Sequence, residues 1–414
     1  MVRNVVVVAL GMLAIDGGAV RAHEHHGMDP LPPAKIEMRS PDGRVTIPFR
    51  LSGNHVVISI AVQGTPLDVI LDTGMPMDGV MLYRNGRVAK LNLAAAPGMQ
   101  ARVGGAGSET GDVAADVVPG LTIDVDRLRL SGARAIVVPP VKAFVPDHDG
   151  VIGASLFRNL VVAIDFDAGR ITLQDPERWT PPSGAATVPL TLARNLPFAD
   201  LVVLTGDGKR VPTKVVVDLG AGHPISLNIG ATAGIEAPPG AIRANIGRGL
   251  SGVLRGQVGR IAGVELGGIL LRDVVATFPD DEHQRPGGMD SEGGNLGTGL
   301  LQHFNVTFDY RRATMSLEPN KGFARPFEWD MSGLWLEPDD KGALRVAGIL
   351  ANSAAEAAGF NVGDLLAQVD GRKVSEKDLP ALSQQFRQDG ESLAIALTRN
   401  GKPIEATLRL KRLV

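Results

Sequence analysis

The strongest constraint on this chain is a pattern that occurs twice. Val69-Ile70-Leu71-Asp72-Thr73-Gly74 and Val215-Val216-Val217-Asp218-Leu219-Gly220 each place an aspartate at the end of an apolar, strand-like run. A second apolar-glycine segment follows each, Val151-Ile152-Gly153 after the first and Leu296-Gly297 after the second. Gly153 follows Asp72 by 81 residues and Gly297 follows Asp218 by 79. Both copies close on a hairpin with an apolar-Asp-aromatic strand, Leu160 to Phe166 with Arg170 to Leu173, and Phe304 to Tyr310 with Ala313 to Leu317. Four landmarks in the same order twice imply a duplicated lobe with one carboxylate in each copy.

A chain of 414 residues exceeds one comfortable core, so two or three domains are expected. Its 51 glycines, set between short Val/Ile/Leu runs, suit tight turns between strands better than long helices. A hairpin is expected around Gly64-Thr65-Pro66, and a short strand over Arg134 to Val138. Formal charge is only -3, and no Lys/Arg-rich stripe is present to neutralise a phosphate backbone, so no nucleic-acid partner is expected.

At the start, Arg3 precedes the apolar run Val5 to Ile15, and Val20-Arg21-Ala22 offers small residues at the usual cleavage positions. This reads as a signal peptide over 1–22, with a buried first strand as the alternative. No stretch is long enough to span a bilayer as a helix. With no cysteine there is no disulfide, which suits a soluble periplasmic or secreted product. Residues 23–40 read as a loose lead-in, 174–186 as an interlobe linker, and the polar stretch from Pro279 to Asn295 as a mobile surface insertion.

Two carboxylates about 3 Å apart cannot both stay charged, so such a pair shares a proton. One member can then take a proton from water while the other gives one to a carbonyl oxygen. The residues reach a known pattern at this point. Leu71-Asp72-Thr73-Gly74, Asp149-Gly150-Val151-Ile152-Gly153 and Phe157-Arg158-Asn159-Leu160 through Phe166 resemble the retropepsin-like aspartic peptidases. The bacterial exported group, in which the lobe is duplicated and followed by a PDZ domain, is the most similar.

The resemblance implies a mainly β protein, with two pepsin/retropepsin-like β-barrel lobes over 41–176 and 185–320 forming one bilobal body. It implies catalytic Asp72 and Asp218, supported by Thr73, Gly74 and Gly220, with covering hairpins near Gly104 to Gly111 and Gly247 to Gly259. Peptide or protein substrates are implied, with no metal and no cofactor. Leu219 departs from the pattern, which carries Thr or Ser there. Leucine can neither donate nor accept, so a partner beneath the pair must be left unsatisfied or rewired. An inert, peptide-binding scaffold is therefore the alternative to a peptidase.

Residues 330–414 resemble a bacterial PDZ domain through Ser353-Ala354-Ala355-Glu356-Ala357-Ala358-Gly359-Phe360, Val362-Gly363-Asp364-Leu365-Leu366 and Val369-Asp370-Gly371. The resemblance implies an α+β domain in which the amides of Gly333, Leu334, Trp335 and Leu336 hold a terminal carboxylate or an added strand. His148 and His223 read as surface-loop residues, since no His/Cys/Asp cluster has a familiar ligand spacing.

Overall fold

A computed structural model describes residues 4–9, 33–107, 112–140, 147–280 and 293–414. The architecture is mainly β and follows from the two copies. In the first lobe, His55–Val62 and Thr65–Leu71 pair antiparallel across a tight turn in which Gln63 and Gly64 both take positive φ. That turn type matches the right-handed twist of its strands. Gly150–Ile152 lies parallel to Thr65–Leu71 and antiparallel to Val80–Tyr83, which in turn lies parallel to Leu128–Val138.

The second lobe repeats each relation. Leu196–Leu204 pairs with Arg210–Asp218. Gly294–Gly297 lies parallel to Arg210–Asp218 and antiparallel to Ile225–Leu227, which lies parallel to Ile269–Pro279.

The two closing hairpins join the lobes. Val161–Asp165 pairs antiparallel with Phe304–Asp309, so the order across the junction is Arg44–Pro48, Arg170–Gln174, Val161–Asp165, Phe304–Asp309, Thr314–Pro319, Ala186–Ala193. Phe157 and Phe308 meet edge to face, and one hydrophobic core runs through both lobes. Burying this shared apolar surface fixes the lobes against each other, which a two-lobed site requires.

A separate core holds the C-terminal domain. Its strands run in the order Leu334–Pro338, Leu344–Ile349, Leu365–Val369, Ser392–Arg399, Lys402–Arg409, with helices Ala354–Ala357 and Leu379–Gln385. The domain is tied to the body by polar contacts. Arg260 binds Glu328 at 3.0 Å and the Val414 carbonyl at 2.8 Å, while Gln384 donates to Asn54 Oδ1 at 2.9 Å. Arg248 pairs with Glu337 and lies 5.5 Å from the Trp335 ring centre.

Three sequence expectations need correction or limits. The lead-in is not loose throughout, because Lys35–Met38 pairs with Leu128 to Ser131 at the edge of the first lobe. The polar stretch after Pro279 lies outside the described residues over 281–292, but its end at Gly294–Gly297 is a buried strand. Asn4–Ala9 runs parallel to Met99–Gly104, and the rest of the expected leader lies outside the described residues. Among the described residues no helix is long and apolar enough to cross a membrane.

Candidate active site

Thr65–Leu71 and Arg210–Asp218 end as fully buried runs, and the chain turns immediately after each aspartate. Met75 N–H bonds the Asp72 carbonyl in one turn, and Ala221 N–H bonds the Asp218 carbonyl in the other. Glycine is needed at both turns for a steric reason. A β-carbon on Gly74 would lie 2.6 Å from Asp218 Oδ1, and one on Gly220 would lie 2.5 Å from the Asp72 carboxyl carbon. The following apolar-glycine segments are packed equally tightly. A β-carbon on Gly153 would sit 2.3 Å from the Asp72 carbonyl oxygen.

Asp72 and Asp218 therefore meet across the lobes, 7% and 9% exposed. Gly74 N–H donates to Asp72 Oδ1 at 2.6 Å. Gly220 N–H lies 2.8 Å from Asp218 Oδ1 and 3.1 Å from Asp72 Oδ1, so one amide addresses both carboxyls. Burial, the Asp218 charge and the carboxyl–carboxyl hydrogen bond raise the Asp72 titration well above its ordinary range, against the pull of the Gly74 and Gly220 amides. Two carboxyls held this close disfavour both being charged at once.

A stability consequence follows with a definite sign. A carboxyl whose folded titration is raised binds an extra proton in the folded state, so stability is lost as pH rises from about 4 through the raised value. Asp72→Asn removes that burden. Thermal melts should show the variant more stable than the wild type at neutral pH, with the difference closing below about pH 4. Equal melts at every pH would contradict the raised titration.

Thr73 sits beneath the pair and bridges the lobes. Its hydroxyl donates to the Val217 carbonyl at 2.7 Å and accepts from Leu219 N–H at 2.9 Å. Leu219 supplies no reciprocal hydroxyl and is instead fully buried in the shared core. Its carbonyl accepts from Thr298 Oγ1 at 2.9 Å. The support beneath the pair is thus one-sided: both Thr73 bonds hold second-lobe backbone, and Thr298 holds the Leu219 carbonyl in the same lobe.

Two hairpin tips meet beside this floor. Gly105 N–H donates to Ser251 Oγ at 3.2 Å, and Ser251 N–H donates to the Ala106 carbonyl at 3.0 Å. A β-carbon on Gly249 would lie 2.4 Å from the Ala106 carbonyl oxygen, so the contact needs a bare backbone. In the second lobe the tip joins Ile242–Gly249 to Gly252–Leu266. In the first, residues 108–111 of the expected hairpin lie outside the described residues. Both tips and both aspartates line one cavity of about 740 Å³.

No family model and no curated protein matches the chain. Among solved structures it is similar to an aspartic proteinase from Irpex lacteus, at 12% identity and a TM-score of 0.45, over 69% of this chain and 99% of that one. It is also similar to an aminopeptidase N family protein from Idiomarina loihiensis, at 17% identity and a TM-score of 0.19, over 22% of this chain and 15% of that one. Neither overlap is close enough to assign chemistry.

The same cavity extends onto the C-terminal domain. Gly333, Leu334, Trp335 and Leu336 line it together with Leu379 and Leu382 of the facing helix and Phe386 just after it. Two of the four loop amides expected to hold a terminal carboxylate or an added strand are already bonded within the domain. Gly333 N–H already donates to Asp330 Oδ1 at 2.9 Å, and Leu334 N–H to Ser332 Oγ at 3.0 Å. Satisfied donors gain little from a new partner.

The histidines also depart from expectation. His148 is 7% exposed, bonds Asp147 Oδ1 through Nδ1 at 3.0 Å and meets the Tyr83 ring edge-on. His148, His55 and His223 all line the cavity. Burial lowers the titrations of His55 and His223, so both favour the neutral ring at neutral pH. Among the described residues no three His, Asp or Glu side chains group as metal ligands.

Sequence reasoning missed Asn295, whose Nδ2 donates to Asp218 Oδ2 at 2.7 Å. A signal was available. Asn295-Leu296-Gly297 interrupts the apolar run that its counterpart Val151-Ile152-Gly153 keeps.

Proposed function

We propose that this chain is an aspartic endopeptidase whose two lobes each supply one member of a catalytic dyad, Asp72 and Asp218. The observation that carries the proposal is the Gly220 amide lying within hydrogen-bond distance of both carboxyls. That geometry supports a pair sharing one proton, which is the state able to accept a proton from water and donate one to a peptide carbonyl together. Thr73, Gly74 and Gly220 hold the pair in register. No acyl-enzyme forms, because the nucleophile is water. Residues 41–176 and 185–320 are the two lobes, of the retropepsin-like kind, and 330–414 is a PDZ domain.

The cavity shared by the dyad and the C-terminal groove supports an extended polypeptide as substrate, gripped by the PDZ domain beside the bond to be cut. The internally bonded Gly333 and Leu334 amides favour an added strand over a free C-terminus. We further propose export, with cleavage after Ala22. The mature chain should begin at His23 by N-terminal sequencing, and Asn4–Ala9 would leave with the leader.

The activity is tested by incubating the mature chain with a mixed peptide library from acidic to neutral pH and reading new termini by mass spectrometry. Cleavage within peptides is expected. Binding without cleavage at any pH would instead support the inert scaffold that Leu219 suggests.

A further inference from the structure

The two lobes support their aspartates unequally. Asp72 accepts backbone amides from Gly74 and Gly220, whereas Asp218 accepts the Gly220 amide on Oδ1 and a side-chain amide, Asn295 Nδ2, on Oδ2. Asn295 is oriented from behind. Its Oδ1 lies 3.2 Å from His223 Nε2. Because the Asn295 amide nitrogen faces the carboxylate, its oxygen can only accept, so His223 Nε2 must carry a hydrogen.

His223 is itself pinned. Its carbonyl accepts Gly299 N–H at 3.1 Å, and Pro224 after it accepts Gly297 N–H at 3.1 Å. A β-carbon on Gly297 would lie 2.1 Å from the His223 carbonyl oxygen, so that approach needs glycine.

Among the described residues of the first lobe nothing equivalent is found. Asn295 pairs with Val216, two residues before Asp218, and its counterpart Val151 pairs with Ile70, two residues before Asp72. Counted from the aspartates, Met77 stands where His223 does. Neither valine nor methionine can donate to a carboxylate.

We propose that His223 and Asn295 are positioning residues that make Asp218 the charged, water-activating member of the dyad and leave the proton on Asp72. The assignment rests on the peptidase reading and gives each proton a place. As water attacks the peptide carbon, its proton passes to Asp218 and the Asp72 proton passes to the carbonyl oxygen. On collapse, Asp218 returns its proton to the amine nitrogen as the C–N bond breaks, and Asp72 recovers its proton from a hydroxyl of the intermediate. The dyad ends as it began. The preference has a simple cause, since a donor on a carboxylate favours its ionised form. Among the described residues the other titratable groups facing Asp218 are Asp72, His55 and Tyr310. His55 and Tyr310 favour their neutral forms, so the side-chain amide is the asymmetric element.

The test uses the full chain with Asn295→Val, which installs the residue of the first lobe, and with His223→Gln and His223→Leu. The dyad is followed by carboxyl ¹³C NMR titration and by the pH profile of kcat/KM. Asn295→Val should move the first dyad ionisation and the acidic limb upward by about one pH unit, with KM little changed. His223→Leu should give a smaller shift in the same direction, and His223→Gln, which can still donate to Asn295 Oδ1, should restore the wild-type profile. Ring ¹⁵N shifts should show His223 protonated on Nε2. Unshifted dyad titrations in Asn295→Val and His223→Leu, or a neutral His223 protonated on Nδ1, would overturn the proposal. If the wild type cleaves nothing, the peptidase reading fails, while the NMR titrations still decide the positioning role.

Discussion

Asp72→Asn and Asp218→Asn should each lower kcat by about 10³-fold or more, and the double variant should be little worse than either single one. The reason is cooperative. With one carboxyl gone, the remaining group can no longer share a proton, so it can accept from water or donate to the carbonyl but cannot do both in turn. Asparagine nearly matches aspartate in shape, and at Asp72 its oxygen can still accept from Gly74 and Gly220. At Asp218 it keeps the Gly220 bond, and the Asn295 amide must turn over to present its oxygen. The two positions also test Leu219. An Asp218→Asn variant that kept wild-type activity would mean the second lobe is a structural relic and that catalysis uses first lobes from two chains. Rates with saturating peptide, on variants with unaltered circular dichroism, make the comparison.

Thr73→Val should destabilise the chain by about 2–4 kcal/mol and slow cleavage as well. Its hydroxyl serves two buried backbone groups, the Val217 carbonyl and Leu219 N–H, which flank Asp218. Valine fills the same space but can satisfy neither group, and each orphaned buried group costs about 1–3 kcal/mol. Thr73→Ser keeps the hydroxyl and should lie close to the wild type. Because Leu219 supplies no return bond, the effect at Thr73 should exceed that of Thr298→Val, whose hydroxyl serves only the Leu219 carbonyl. Urea midpoints for the three variants give the order. A Thr73→Val midpoint equal to the wild type would show that the bridge beneath the dyad is dispensable.

What could be read from the sequence was local or repeated. The hairpin expected around Gly64-Thr65-Pro66 does form, but its turn is Gln63-Gly64, both at positive φ, with Thr65 and Pro66 already in the second strand. The paired Asp-x-Gly turns gained force from recurring at matched spacing, and the aspartates do meet. Features that depend on distant partners were hidden. Lys35–Met38 is a four-residue edge strand whose partner lies about ninety residues on. The long strand Leu128–Val138 shifts register after Ser131 and again after Ala133, which breaks the alternation that would betray it.

The same distinction applies at the site. His148 and His223 sit among turn-forming residues and look exposed, yet His148 is buried and His223 half-buried against other segments of the cavity wall. Asn295 closes a polar stretch in the sequence and reaches Asp218 only through parallel pairing with Val216. The meeting of the aspartate-lined cavity with the C-terminal domain depends on contacts such as Gln384 with Asn54, 330 residues apart, which no local pattern encodes.

The most direct test of one chain carrying a complete dyad is the rate of peptide hydrolysis by the purified mature protein across a dilution series, beside the Asp72→Asn/Asp218→Asn double variant. The account predicts a rate strictly proportional to protein concentration in the wild type and none in the double variant. Specific activity that fell on dilution would point to a dimeric site. Hydrolysis that survived in the double variant, or was absent from the wild type at every pH, would contradict the two-aspartate mechanism outright.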